Sequence, residues 1–180
     1  MPKSTLPGGA LVDISDCYIK IPVGAGEMTF TLNNLPDISD SKSAAYNDEP
    51  VIGRASPIKT YSHSENRVIS MQIHLFVTHP EDVNDNLFML RALESAVYPR
   101  DKFGSAPFIP PPICKIKCGH LLALTELCVI LKSYSVKFPT NVAWDEVKFT
   151  PYNFDVDTSW EVVYKNIDLP GQQYILFTGR

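Results

Sequence analysis

The sequence predicts a mainly β (α+β) domain, a β-sandwich or barrel carrying one flanking α-helix. Three observations predict it. Proline is frequent at 15 and glycine sparse at 9, which favours fixed turns and strand edges over long helices. Several runs alternate apolar and polar residues with period two, and one run repeats at the three- and four-residue spacing of a helix. The order, strands then a helix then more strands, sets the helix on one side of a sheet. With 180 residues, 44% hydrophobic and 20% charged, the chain is long enough for one core and short for two.

Residues 1–16 read as an N-terminal arm, polar and containing proline and glycine at its start, loose or ordered only by a neighbour. The domain is expected over residues 17–164. Two β-prone runs, from Cys17 to Val23 and from Glu27 to Leu32, flank Gly24-Ala25-Gly26, the spacing of a hairpin. Residues 33–66 then turn to Asp, Ser, Asn and Pro, with Asp37, Asp40, Asp48 and Glu49 ahead of Gly53-Arg54 and Pro57. This segment reads as a long polar loop, either one that extends over a partner and orders there, because a compact domain rarely leaves so long a connection without a use, or a plain mobile loop.

From Arg67 to Val77 the alternation is clearest: Ile69, Met71, Ile73, Leu75 and Val77 form the expected core face, and His74 falls on the opposite one as a surface or interface residue. Thr78-His79-Pro80-Glu81 has the form of a capping box, with the Thr78 hydroxyl accepting from the backbone of Glu81. A helix is expected from there to Pro99, with Val83, Leu87, Leu90, Leu93 and Val97 as its apolar stripe. After a loop from Arg100 to Pro112, strands are expected over Ile113 to Cys118, Leu127 to Phe138 and Val156 to Tyr164. Residues 165–180 form a tail whose apolar run, Tyr174 to Phe177, adds an edge strand or docks on a neighbour.

Net charge is −4 and the 16 Lys and Arg residues are scattered, so the basic footprint of a nucleic-acid binder is missing. The first ten residues lack an apolar leader and no stretch approaches the ~20 apolar residues of a membrane span, so a soluble protein of the cytoplasm, without membrane contact, is expected. Cys17, Cys114, Cys118 and Cys128 are then reduced, buried thiols. One spacing suggests metal: Cys114, Cys118 and His120 share a strand face, with Cys128 as a fourth ligand across a hairpin. The weight lies with packing, because cysteine is among the most buried residue types, and no metal or cofactor is expected. No Gly-x-Ser-x-Gly elbow, phosphate loop or dinucleotide glycine pattern occurs, and His63, His74, His79 and His120 stand in no catalytic signature. The expectation is a protein that is not an enzyme.

The run Val51-Ile52-Gly53-Arg54-Ala55-Ser56-Pro57-Ile58-Lys59-Thr60-Tyr61, followed by the alternating strand from Arg67, resembles baseplate proteins of contractile-tailed phages. The order continues with a helix ending in Ala96-Val97-Tyr98-Pro99, the entry Pro110-Pro111-Pro112-Ile113, a strand through Ser133 to Val136 and a last strand from Trp160 to Tyr164. Together these resemble the tube-initiator, LysM-associated baseplate family over roughly Cys17 to Tyr164, with no LysM repeat after the last strand.

That resemblance implies a tail-tube-like fold and a structural virion protein, assembled in the host cytoplasm as a six-fold ring of its own copies. The ring would sit between baseplate hub and tail tube, with DNA a partner only in transit through its lumen. Carried onto this chain, the assembly residues are Gly53, Arg54, Pro57 and Tyr61, together with an exposed edge near Trp160. Two other readings stay open. One is a monomeric carbohydrate-binding module with Tyr152 and Trp144 as stacking platform, and the other a hydrolase whose carboxylates meet only in the fold.

Overall fold

The computed structural model describes residues 3–5, 11–13, 16–23, 26–32, 34–99, 110–123 and 125–164. The N-terminal arm contributes two short strands, β1 (Lys3–Thr5) and β2 (Leu11–Asp13), which pair with each other. The expected hairpin is present as β3 (Cys17–Val23) and β4 (Gly26–Thr31), in register with Val23 opposite Gly26. Gly24 and Ala25 lie outside the described residues, as does the 165–180 tail.

Residues 33–66 differ from the expected loop. They hold β5 (Asp37–Ser41), β6 (Ala44–Glu49) and β7 (Ile58–Ser64), followed by β8 (Val68–Phe76). Next come α1 (Asp82–Val97), β9 (Cys114–Cys118), β10 (Leu127–Lys137), the short pair β11 (Trp144–Asp145) and β12 (Thr150–Pro151), and β13 (Asn153–Val162). Seven strands form one sheet in the order β4-β3-β9-β10-β13-β8-β5, and every neighbouring pair in it is antiparallel.

One face of this sheet is apolar because the alternation of each strand points the same way. Ile19 and Ile21, Cys114 and Ile116, Val129 and Leu131, Val156 and Trp160, and Ile69 to Leu75 at odd positions all enter one core cluster. Residues of α1 touch both β3 and β8, which stand four strand spacings apart. At about 4.8 Å per spacing that is nearly 20 Å, a width that the 16 residues of α1, about 24 Å long, span by lying across the strands. Strand β10 carries a bulge. Leu131 faces Trp160 and Ser133 faces Ser159, which leaves Lys132 as the extra residue and shifts the inward positions from Val129 and Leu131 to Tyr134 and Val136.

The helix starts later than the capping-box reading places it. Glu81 makes no side-chain cap bond; the Asp82 carboxylate instead accepts from Thr78 N at 2.8 Å, Thr78 Oγ1 at 2.6 Å and His79 N at 2.7 Å. Thr78 therefore donates where it was expected to accept, and these bonds hold the Asp82 carboxyl below the usual carboxylate range. The buried stripe is also rotated, running through Val83, Asn86, Met89, Ala92, Leu93 and Ala96. Asn86 is tolerated inside because its Nδ2 donates to Phe76 O at 3.3 Å.

A second buried polar relay sits beneath Trp160. Its indole Nε1 donates to Thr158 Oγ1 at 2.7 Å, and that hydroxyl donates to Met71 O at 2.8 Å. Thr158→Val keeps the shape and strips the relay, leaving a buried indole N–H without its acceptor. A loss of about 1–3 kcal/mol is expected in urea unfolding, whereas Thr158→Ser retains most of the stability.

Candidate assembly surface

The assembly residues implied by the resemblance gather on one element. β5 and β6 run outward in succession and β7 and β8 return, so the four strands make a single long ribbon interrupted only at residues 42–43 and 65–67. Its inner half, β5 on β8, belongs to the main sheet; its outer half, β6 on β7, leaves it. The six residues of β6 span about 20 Å. The break is stitched at its base. Glu65 N donates to Ser43 O at 2.9 Å, and Arg67 Nε donates to both Asp40 oxygens at 2.8 and 3.0 Å while its Nη2 donates to Leu122 O at 2.9 Å.

The outer ribbon has no core beneath it. Apart from Ala45 and Thr60, every residue of β6 and β7 is exposed, although the surface carries Tyr46, Val51, Ile52, Ile58 and Tyr61. Tyr46 and Tyr61 meet edge to face at 5.8 Å between centroids, and the Tyr61 hydroxyl lies 2.8 Å from Ser64 Oγ. Gly53 sits in the tip with φ of 87°, where a side chain would be strained. Arg54 N closes the tip turn on Val51 O at 3.2 Å, and Pro57 is exposed beside it. Ile52 at the tip is 105% exposed.

Trp160 does not join this surface. It is 0% exposed and lies in β13, a central strand paired on both sides by β10 and β8. The expected edge there is replaced by core, because the alternation of β13 turns Phe154, Val156, Thr158, Trp160 and Val162 inward together. Among the described residues the sheet's outermost strands are β4 and β5.

The metal candidates are likewise separated. Cys114 and Cys118 point into the core, while His120 is exposed in the turn after Gly119, and Cys128 is opposite Lys115, on the other face of the sheet. Among the described residues no group of three His, Cys, Asp or Glu side chains is placed to hold a metal. The aromatic pair Trp144 and Tyr152 also fails to form one platform. Trp144 stacks at a tilt on Phe149, 5.2 Å between centroids, in a cleft of about 620 Å³ with Leu87, Tyr134 and Phe138. Tyr152 lines a separate hollow with Val77 and Lys148.

The outward face of the sheet is polar and its charges are matched across strands. On β3 and β9, Lys20 pairs with Glu126, Lys115 with Glu27 at 2.6 Å and Lys117 with Asp16 at 3.3 Å. On β8, His74 Nδ1 meets Asp155 at 2.7 Å and its Nε2 meets Asp37 at 3.5 Å, joining β13 and β5. The hydrogen bond to Asp155 raises the His74 pKa above its ordinary value. A raised folded value means that the contribution is present below the unfolded pKa of about 6.5 and is lost as pH rises through the folded one. Urea midpoints should therefore fall as pH rises above about 6.5, and His74→Gln should flatten that part of the profile. An unchanged slope in the variant would discount the cluster. Sequence reasoning placed His74 on the correct face but had no signal for its two carboxylate neighbours, which arrive from distant strands.

No protein-family model matches the chain, and no curated protein is similar to it. Among the described residues no helix is long and apolar enough to cross a membrane.

Proposed function

We propose that this chain is a structural subunit, without catalysis or cofactor, that assembles with its own copies into the baseplate or tube-initiator ring linking the hub to the tail tube of a contractile phage tail. The observation that carries the reading is the outer ribbon. A two-stranded hairpin is at best marginal in water, and this one displays Tyr46, Val51, Ile52, Ile58 and Tyr61 with no core behind them. A surface of that kind is stabilised by contact with another subunit. The open flanks of β4 and β5 offer strand edges for head-to-tail contacts, and the matched lysines of the outward face suit a lumen through which DNA slides without capture. The tail-tube-like sandwich or barrel is the finer form of this proposal, with the seven-stranded antiparallel sheet and the helix packed on its apolar face as its support.

Light scattering on the purified chain, alone and mixed with tube and hub proteins of the same source, tests it. A closed ring or co-assembly onto the hub supports the reading, and a strict monomer that ignores both overturns it. A second reading, a monomeric carbohydrate-binding module, draws on the Trp144–Phe149 cleft, where Phe149 is held at φ of 52° and exposed. A saccharide-dependent thermal shift in the absence of any oligomer favours that module.

A further inference from the structure

None of the chain's four cysteines is in a disulfide, and strand register decides which of them can meet. Cys17 of β3 stands opposite Cys118 of β9. Gly119 N, one residue beyond Cys118, donates to Asp16 O, one residue before Cys17, at 3.1 Å. That bond flanks the pair and identifies it as the non-hydrogen-bonded kind of antiparallel pair, in which Cα atoms lie about 4.5 Å apart and side chains are closest. A disulfide spans Cα separations of about 4.4–6.8 Å. Both side chains point into the core, 4% and 3% exposed, and the Cys118 thiol hydrogen-bonds to Cys17, lowering the Cys17 pKa and raising that of Cys118.

The other two cysteines are excluded by the same register. Cys114 faces Val129 on the inward side and Cys128 faces Lys115 on the outward side, so they occupy opposite faces of the sheet. Cys114 lies four residues along the same strand from Cys118, about 13 Å away, beyond bonding reach.

We propose that Cys17 and Cys118 are a latent dithiol–disulfide site, which a small dialkyl disulfide oxidises to one bond clamping β3 onto β9. The step balances. The Cys17 thiolate attacks the reagent's S–S bond and releases one alkyl thiolate; the Cys118 sulfur then attacks the mixed disulfide at Cys17 and releases the second. The protein loses two protons and two electrons, and the reagent becomes two thiols. Access is from the sheet end, where Asp16 and His120 on either side of the pair are exposed, so fraying of the last ladder position admits the reagent. The bond would close a loop of about 100 residues, where the chain-entropy effect of a disulfide is large. The site stands independently of the ring reading.

The test treats the full chain with 2-hydroxyethyl disulfide, alkylates under denaturing conditions and maps peptides by mass spectrometry. The expected product is two hydrogens lighter, carries a Cys17–Cys118 cross-link with Cys114 and Cys128 alkylated, and melts roughly 5–15 °C higher until reduced. Cys128→Ser should leave the cross-link intact and Cys118→Ser should abolish it. Should Cys118→Ser fail to fold, the wild-type peptide map decides alone. Alkylation of all four thiols, or a cross-link that uses Cys114 or Cys128, overturns the proposal.

Discussion

Trp160→Ala should lower the unfolding free energy by about 3–5 kcal/mol, the range for truncating a large buried aromatic. The side chain is 0% exposed, and its strand is paired on both sides, with Trp160 opposite Leu131 and Ile69. Neither neighbour can collapse into the vacated space without breaking a ladder, so most of the cavity persists. The substitution also removes the donor to Thr158 Oγ1, although that hydroxyl keeps its bond to Met71 O. Trp160→Phe retains most of the volume and should lose less. Urea denaturation with a fixed m-value measures both. A change below about 1 kcal/mol for the alanine variant would be the behaviour of a surface residue and would contradict the central place of β13.

Excising the outer ribbon should do the reverse, leaving the fold and removing assembly. Ser43 and Glu65 are already joined by a backbone hydrogen bond, so an Asn-Gly turn between them replaces residues 44–64 with a two-residue loop of the hairpin type. The removed strands bury little, and unfolding stability should change by no more than about 1 kcal/mol. Association with copies or with hub and tube proteins should fall below detection in light scattering. The paired point variant Tyr46→Ser with Ile52→Ser should weaken association by about 2–4 kcal/mol, the range for exposed anchors at an interface centre. If the shortened protein assembles at unchanged concentration, the ribbon is not the assembly element and the edges of β4 and β5 become the next suspects.

Much of the sheet was legible because its strands are buried on one side only. The odd positions of β8 read as core and are core, and the β3–β4 hairpin announces itself by the glycines between two β-prone runs. Lys132 shows where such reading stops. The bulge moves the inward phase of β10 by one residue, so Val129 and Leu131 do not share parity with Val136, and a strict two-residue period fits only half the strand. In α1 the expected Leu87 is half-buried while Asn86 and Ala92 are inside, because a bond to Phe76 O and close helix packing outweigh hydrophobicity rank.

Local periodicity and turn chemistry carry the mainly β class, the helix after β8, the polar character of residues 33–66 and the inward face of β8. Long-range pairing sets the rest: residues 44–64 form a ribbon outside the main sheet, Trp160 lies in a strand paired on both sides, and Cys17 meets Cys118 and no other cysteine. The ribbon has water on both faces, so no alternation marks its strands. Strand order and register come from pairings between segments up to about a hundred residues apart, and nothing local in the chain encodes which segments those are.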